Sequence, residues 1–251
     1  MARDVALEIA VQDTDGVRIA TEVGARRVEL CSALGATGGL TPSVGLLEAA
    51  VAVAAEAAGG GVPVEVHPLV RPRPGGFVFS AAELDVQVRD VRAAVAAGAA
   101  GVVIGALTAE RLVDEAAVRA LVAAADGREV TFHRAIDVVE DVTAALDLLA
   151  GLGVTRVLTS GGAARSIDGV DRLRAMALHT AGRVQIQAGG GVRAQDMGDL
   201  VAAGVDAVHL SAKGIRPDDG GPGGGGGSGY EVTDLGAARE ARSALDVALG
   251  S

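Results

Sequence analysis

Eight short apolar runs alternate along the chain with longer runs of helical character, and this alternation restricts the fold more than any other feature. The strand-like runs cover 7–11, 27–32, 64–70, 101–107, 130–134, 156–160, 184–188 and 207–211. Helix-like stretches over 42–58, 81–97, 115–125, 142–152, 169–181 and 194–203 lie between them. Eight βα units in 251 residues is the arithmetic of an α/β (β/α)8 TIM barrel, read here as a single domain over 1–251. A doubly wound sheet would carry a Gly-rich dinucleotide turn after its first strand. The turn here is Gln12-Asp13-Thr14-Asp15-Gly16, which lacks that pattern.

An internal echo sets the strand register. Gly24-Ala25-x-x-Val28-x-Leu30 recurs at Gly98, Gly153 and Gly204, each time ahead of an even-numbered strand. Each Gly sits where a helix ends, the position that favours a left-handed residue. Side chains alternate across a strand. The aliphatic set (Leu7, Ile9, Val28, Leu30, Val66, Val102, Ile104, Val130, Phe132, Ile186, Val208) is therefore expected to face the helices. The opposite set (Glu8, Glu29, Cys31, His67, Thr131, His133, Gln187, His209, Ser160, Ser211) is expected to face the barrel axis. Barrel cores are dominated by Val, Ile and Leu, and unpaired buried carboxylates cost several kcal/mol each. So polar an interior implies pairing, bound metal or access for substrate. Arg71, Arg73 and Arg134, near strand ends, are candidates for the pairing.

Composition removes several classes. The net charge is −10 and aromatics are 2%, which argues against a phosphate-backbone binder, an anionic membrane surface and base-stacking platforms. The longest apolar run, 93–107, is too short to span a bilayer and is broken by Gly98, Gly101 and Gly105. A single cysteine, Cys31, fits a reducing, cytoplasmic setting. The Gly-rich stretch 218–229 reads as a flexible loop, and 234–249 as a closing C-terminal helix.

The loops after the strands carry the chemistry. Arg71-Pro72-Arg73 puts two guanidiniums on a Pro-stiffened turn suited to an anion. His133-Arg134-Ala135-Ile136-Asp137 places an imidazole, a guanidinium and a carboxylate at one strand end, with His133 the best acid–base candidate. Ser160-Gly161 and Gly189-Gly190 let backbone N–H groups approach an anion, and Ser211 adds a hydroxyl.

The segments Arg27-Val28-Glu29-Leu30-Cys31, Gly38-Gly39-Leu40-Thr41-Pro42-Ser43, His67-Pro68 through Arg73, and Thr131-Phe132-His133-Arg134-Ala135 resemble the CutC family. So do Arg156-Val157-Leu158-Thr159-Ser160-Gly161 and His209-x-Ser211. The resemblance runs from Glu8 to about Ser211. It implies a (β/α)8 barrel, a cytoplasmic copper homeostasis protein that binds copper, and a homo-oligomer. The chain departs from the family's pattern at Gly76 and Phe79, and the Gly-rich stretch stands in place of its usual C-terminal segment. Copper(I) prefers soft thiolate and thioether ligands. Within one chain that requirement points to Cys31, with His67 as an inward partner. The alternative expectation is an enzyme of lyase, isomerase or hydrolase type acting on a small anionic or phosphorylated metabolite. There His133 is the acid/base, assisted by Asp137 and His209, with Glu8 or Glu29 as a second acid/base. Arg71, Arg73, Arg134, Ser160, Gly161, Gly189, Gly190 and Ser211 would bind the anion.

Overall fold

A computed structural model describes residues 4–218 and 229–250. Eight parallel strands surround one axis: β1 (Ala6–Val11), β2 (Arg27–Leu30), β3 (Glu65–Pro68), β4 (Gly101–Ile104), β5 (Glu129–Phe132), β6 (Arg156–Thr159), β7 (Gln185–Gly189) and β8 (Ala207–Leu210). Their order is β3-β2-β1-β8-β7-β6-β5-β4. The ring closes between β3 and β4 through a parallel bridge joining Leu69 to Val103, where Val70 N–H donates to the Val103 carbonyl at 2.8 Å. The chain is thus the (β/α)8 barrel that the alternation predicts.

The surrounding helices are α1 (Thr14–Glu22), α2 (Leu34–Thr37), α3 (Val44–Ala57), α4 (Ala81–Ala96), α5 (Glu115–Ala124), α6 (Val142–Gly151), α7 (Val170–Thr180), α8 (Met197–Ala203) and α9 (Leu235–Leu249). Oxygen side chains start most of the long ones. Asp13, Ser43, Asp114, Asp141 and Asp234 each accept a backbone N–H of the first turn. Ser80 and Glu83 form a reciprocal capping box on α4. Each cap contributes about 1 kcal/mol. The helices bury small residues (Ala50, Ala54, Ala94, Ala117, Ala145) against the outer face of the sheet, which supplies Leu7, Ile9, Val28, Leu30, Ile104, Phe132 and Ile186. That shell is the hydrophobic core.

Two features were not anticipated. Helix α1 occupies the first βα connection. A two-stranded antiparallel hairpin, β9 (Lys213–Pro217) with β10 (Gly229–Thr233), follows β8 before the chain enters α9. The stretch expected to be a flexible loop, 218–229, lies outside the described residues except for its two ends. No helix among the described residues is long and apolar enough to cross a membrane.

Candidate active site at the barrel mouth

Strand alternation aims a stack of ionisable side chains at the axis, and adjacent strands supply the partners. Glu8 on β1 stands in register with Arg27 on β2 and with His209 on β8. Its Oε2 accepts from Arg27 Nε at 2.6 Å, its Oε1 lies 2.7 Å from His209 Nδ1, and Gln187 Nε2 donates to Oε1 as well. Burial alone would raise the Glu8 carboxyl pKa, but the His209 hydrogen bond and the Arg27 charge outweigh it and hold the group ionised. The buried carboxylate is therefore compensated by Arg27. The strand-end arginines expected in that role serve elsewhere.

Above this pair lies Glu29, also on β2. Only 5% of it is exposed, its carboxylate accepts no hydrogen bond from the described residues, and its Oε2 is 3.8 Å from His209 Nε2. Burial pushes its pKa up to about 7, with the Glu8 charge adding to the rise and the His209 charge opposing it. His209 thus sits between two carboxylates. Burial disfavours its cation, yet the Glu8 hydrogen bond and the Glu29 and Glu8 charges raise its pKa above the usual value.

His133, the residue after β5, is the opposite case. Burial and the neighbouring Arg71 charge lower its pKa to about 3, so the ring is neutral at physiological pH. Its Nδ1 accepts the Ala135 backbone N–H at 3.2 Å, which leaves the proton on Nε2. Nε2 has no partner among the described residues. Room for the ring comes from Gly105, where a Cβ would fall 2.3 Å from His133 Cε1. Phe77 covers the other side at a centroid distance of 4.8 Å.

The five-residue 3-10 helix Arg134–Val138 folds Asp137 back beside Arg134. Asp137 accepts from Arg134 Nε (2.8 Å), Thr159 Oγ1 (2.6 Å), Ser160 N (3.0 Å) and Gly162 N (3.1 Å). So saturated a carboxylate is an anchor. What it anchors is Arg134, whose Nη2 also donates to Ser160 Oγ at 3.0 Å. The guanidinium packs against Gly190, where a Cβ would be 2.9 Å from Cζ.

These groups surround a cavity of about 490 Å³ at the C-terminal ends of the strands. Glu29, His133, His209, Arg71, Arg134, Gly190 and Ser211 line it, joined by apolar Leu69, Phe77, Leu158 and Leu210. Glu8, Asp137, Ser160, Gly161 and Gly189 are not among the residues that line it. Arg73 does not reach the cavity: it ion-pairs with Glu83, donates to the Val78 carbonyl and lies over Phe79. Arg71 spends three hydrogens on the carbonyls of Thr37, Gly39 and Gly75, which pins the two loops together, while its buried Nε is unpartnered. The rim holds an ion pair not foreseen from sequence, Lys213 Nζ to Glu231 Oε1 at 3.0 Å, carried by the β9–β10 hairpin.

The two expected metal ligands are not brought together in a ligand cluster. Cys31 packs fully buried with Leu69 and Val103, and burial followed by the Glu29 charge drives its pKa far above the ordinary thiol value. Met176 and Met197 lie in the outer core with the helices. A protonated thiol without a second sulfur ligand does not fit copper(I). His67 turns toward the closed end, with Nε2 4.0 Å from Glu129 Oε2.

The strand ends of this (β/α)8 barrel gather around one cavity a carboxyl and an imidazole of raised pKa, Glu29 and His209, a neutral imidazole, His133, and the anchored Arg134 guanidinium. The chain belongs to the CutC family, whose profile matches residues 5–214. A CutC family protein of Sinorhizobium medicae is 42% identical over 214 residues, covering 85% of this chain and 83% of that one. One from Caulobacter vibrioides is 42% identical over 217 residues, covering 86% and 84%. The structure of the CutC protein of Streptococcus agalactiae superposes with a TM-score of 0.76 at 29% identity, over 82% of this chain and 97% of that one.

Proposed function

We propose that this CutC-family chain is an enzyme that moves a proton on a small anionic carbonyl metabolite bound at the barrel mouth, a reaction of isomerase or lyase type. The observation that carries this reading is Glu29: a carboxyl without hydrogen bonds, in the cavity wall, with a pKa near 7. A group so poised is about half ionised at neutral pH, the condition for efficient general acid–base transfer. His133 supplies the complement. A neutral imidazole with its proton fixed on Nε2 donates a hydrogen bond to a substrate oxygen as charge develops there, and this pairing of carboxylate base with neutral imidazole suits proton abstraction next to a carbonyl. The acid–base role thus passes from His133 to Glu29, and His209 holds the Glu29 charge when it forms. Arg134 takes the substrate's anionic group, since its Nε and Nη2 are already pinned and its position on Gly190 is set before binding. Arg71, Arg134 and Lys213 outnumber the carboxyls Glu29 and Glu231 around the cavity, in a chain of net charge −10.

The Streptococcus agalactiae protein is named for copper homeostasis. For this chain the cavity chemistry favours a metabolite over copper(I) as the ligand. A thermal-shift screen of carboxylated and phosphorylated metabolites tests the proposal. We expect at least one to raise Tm, with Arg134→Met weakening that ligand by about 10- to 100-fold, the scale of a charged hydrogen bond. Stabilisation by no anion, or stabilisation indifferent to Arg134→Met, would sink it. Titration with copper(I) provides the contrast: binding tighter than micromolar that is lost in Cys31→Ala would restore copper as the ligand.

A further inference from the structure

We propose that the closed end of the barrel carries a second site, a three-ligand seat for a first-row divalent cation made by Glu65, His67 and Glu129. Glu65 and Glu129 are the first residues of β3 and β5, and His67 follows Glu65 on the same inward face. One donor atom from each lies within 4.8 Å of the others. The observation that points to a ligand is His67. Its side chain is fully buried, yet neither Nδ1 nor Nε2 has a partner among the described residues. A buried polar group left without a partner is costly and rare. The space it occupies is purpose-made, because a Cβ at Gly101 would fall 2.4 Å from His67 Cε1.

The chemistry of the set is specific. A neutral imidazole offers the lone pair of one ring nitrogen to a cation. Arg27 Nη1 donates to Glu65 Oε2 at 3.1 Å and Arg156 Nη2 to Glu129 Oε2 at 2.9 Å, while Arg26 Nε stands 3.8 Å from Glu65 Oε1. These contacts orient the carboxylates as outer partners do around a metal, and leave lone pairs free. The Glu65 and Glu129 side chains are 29% and 39% exposed, so a cation enters from solvent and can keep a water as a further ligand. One imidazole and two carboxylates suit zinc(II) or copper(II) and not copper(I). The N-terminal face of such barrels serves stability, which makes this a structural site, independent of the chemistry at the mouth.

Calorimetric titration of metal-free protein with zinc(II) and copper(II) tests it. We expect one ion per chain, copper(II) bound more tightly than zinc(II), and a Tm that rises with either ion. His67→Gln and Glu129→Gln should each weaken binding at least tenfold, and Cys31→Ser should leave it unchanged. Should His67→Gln fail to fold, the partly exposed Glu129→Gln decides the matter. Absence of stoichiometric binding in the wild type, binding undiminished in Glu129→Gln, or binding lost in Cys31→Ser would overturn the proposal.

Discussion

Glu29 and Glu8 stand on neighbouring strands and face the same axis, yet their carboxyls behave oppositely. Glu8 is compensated by Arg27 and by a direct His209 hydrogen bond, whereas Glu29 has burial without a hydrogen bond. The difference has a thermodynamic signature. A folded pKa of about 7, above the ordinary 4.5, means the native state holds a proton that the unfolded chain gives up. That contribution is present in full below about pH 4.5 and is lost as pH rises through 7. Glu29→Gln mimics the protonated form, so the variant should be more stable than wild type at pH 8 by up to roughly 3 kcal/mol. At pH 4 the two should be nearly equal. Urea denaturation at both values checks this, and an unchanged difference between variant and wild type would refute the raised pKa. At this scale the inward placement of Glu29, His133 and His209 was legible from alternation alone. The same rule also puts Arg27 two residues before Glu29, and Arg156 two before Leu158, on the interior face. Both are almost fully buried, a placement that alternation allows but composition argues against, because arginine is seldom buried unless paired.

The elements show how small residues make the site. The inward face of β4 and the residue after it reads Gly101, Val103, Gly105, and the two glycines give up volume to His67 and His133. Gly105→Ala should cost about 1–3 kcal/mol through overpacking against His133, seen as a lower urea midpoint. Gly45 is the control. It lies in α3 with no positive φ and nothing within 4 Å of an added Cβ. Gly45→Ala should therefore raise the unfolding free energy by about 0.5–1 kcal/mol through helix propensity, seen as a higher urea midpoint. If both substitutions shift stability the same way, the packing account of β4 is wrong. The barrel strands and most of the long helices could be placed from periodicity and caps. The β9–β10 hairpin could not, since an isolated hairpin draws its stability from what it packs on, and that is a tertiary property.

Across the whole molecule, pH dependence is a contest among buried groups. His67 and His133 have folded pKa values near 3 against an ordinary 6.5. Their stability is present above pH 6.5 and is lost as pH falls, because the unfolded chain then takes up protons that the barrel refuses. Between pH 6.5 and 5 each removes about 2 kcal/mol. His133→Gln should flatten the fall in unfolding free energy over that range by about that amount. Urea melts at pH 7 and pH 5 measure it, and a wild-type slope in the variant would contradict a neutral His133. The amino-acid order by itself determined the eight-fold alternation, the outward aliphatic faces and the inward set of acids and imidazoles, because strand geometry leaves only two directions for each side chain. What only the tertiary structure decided is the state of each inward group. Three histidines obey one rule of alternation, yet His209 is held toward its cation between Glu8 and Glu29 while His67 and His133 stay neutral. The reason is physical: charge in a low-dielectric interior depends on which partners, contributed by strands distant in sequence, arrive within a few ångströms.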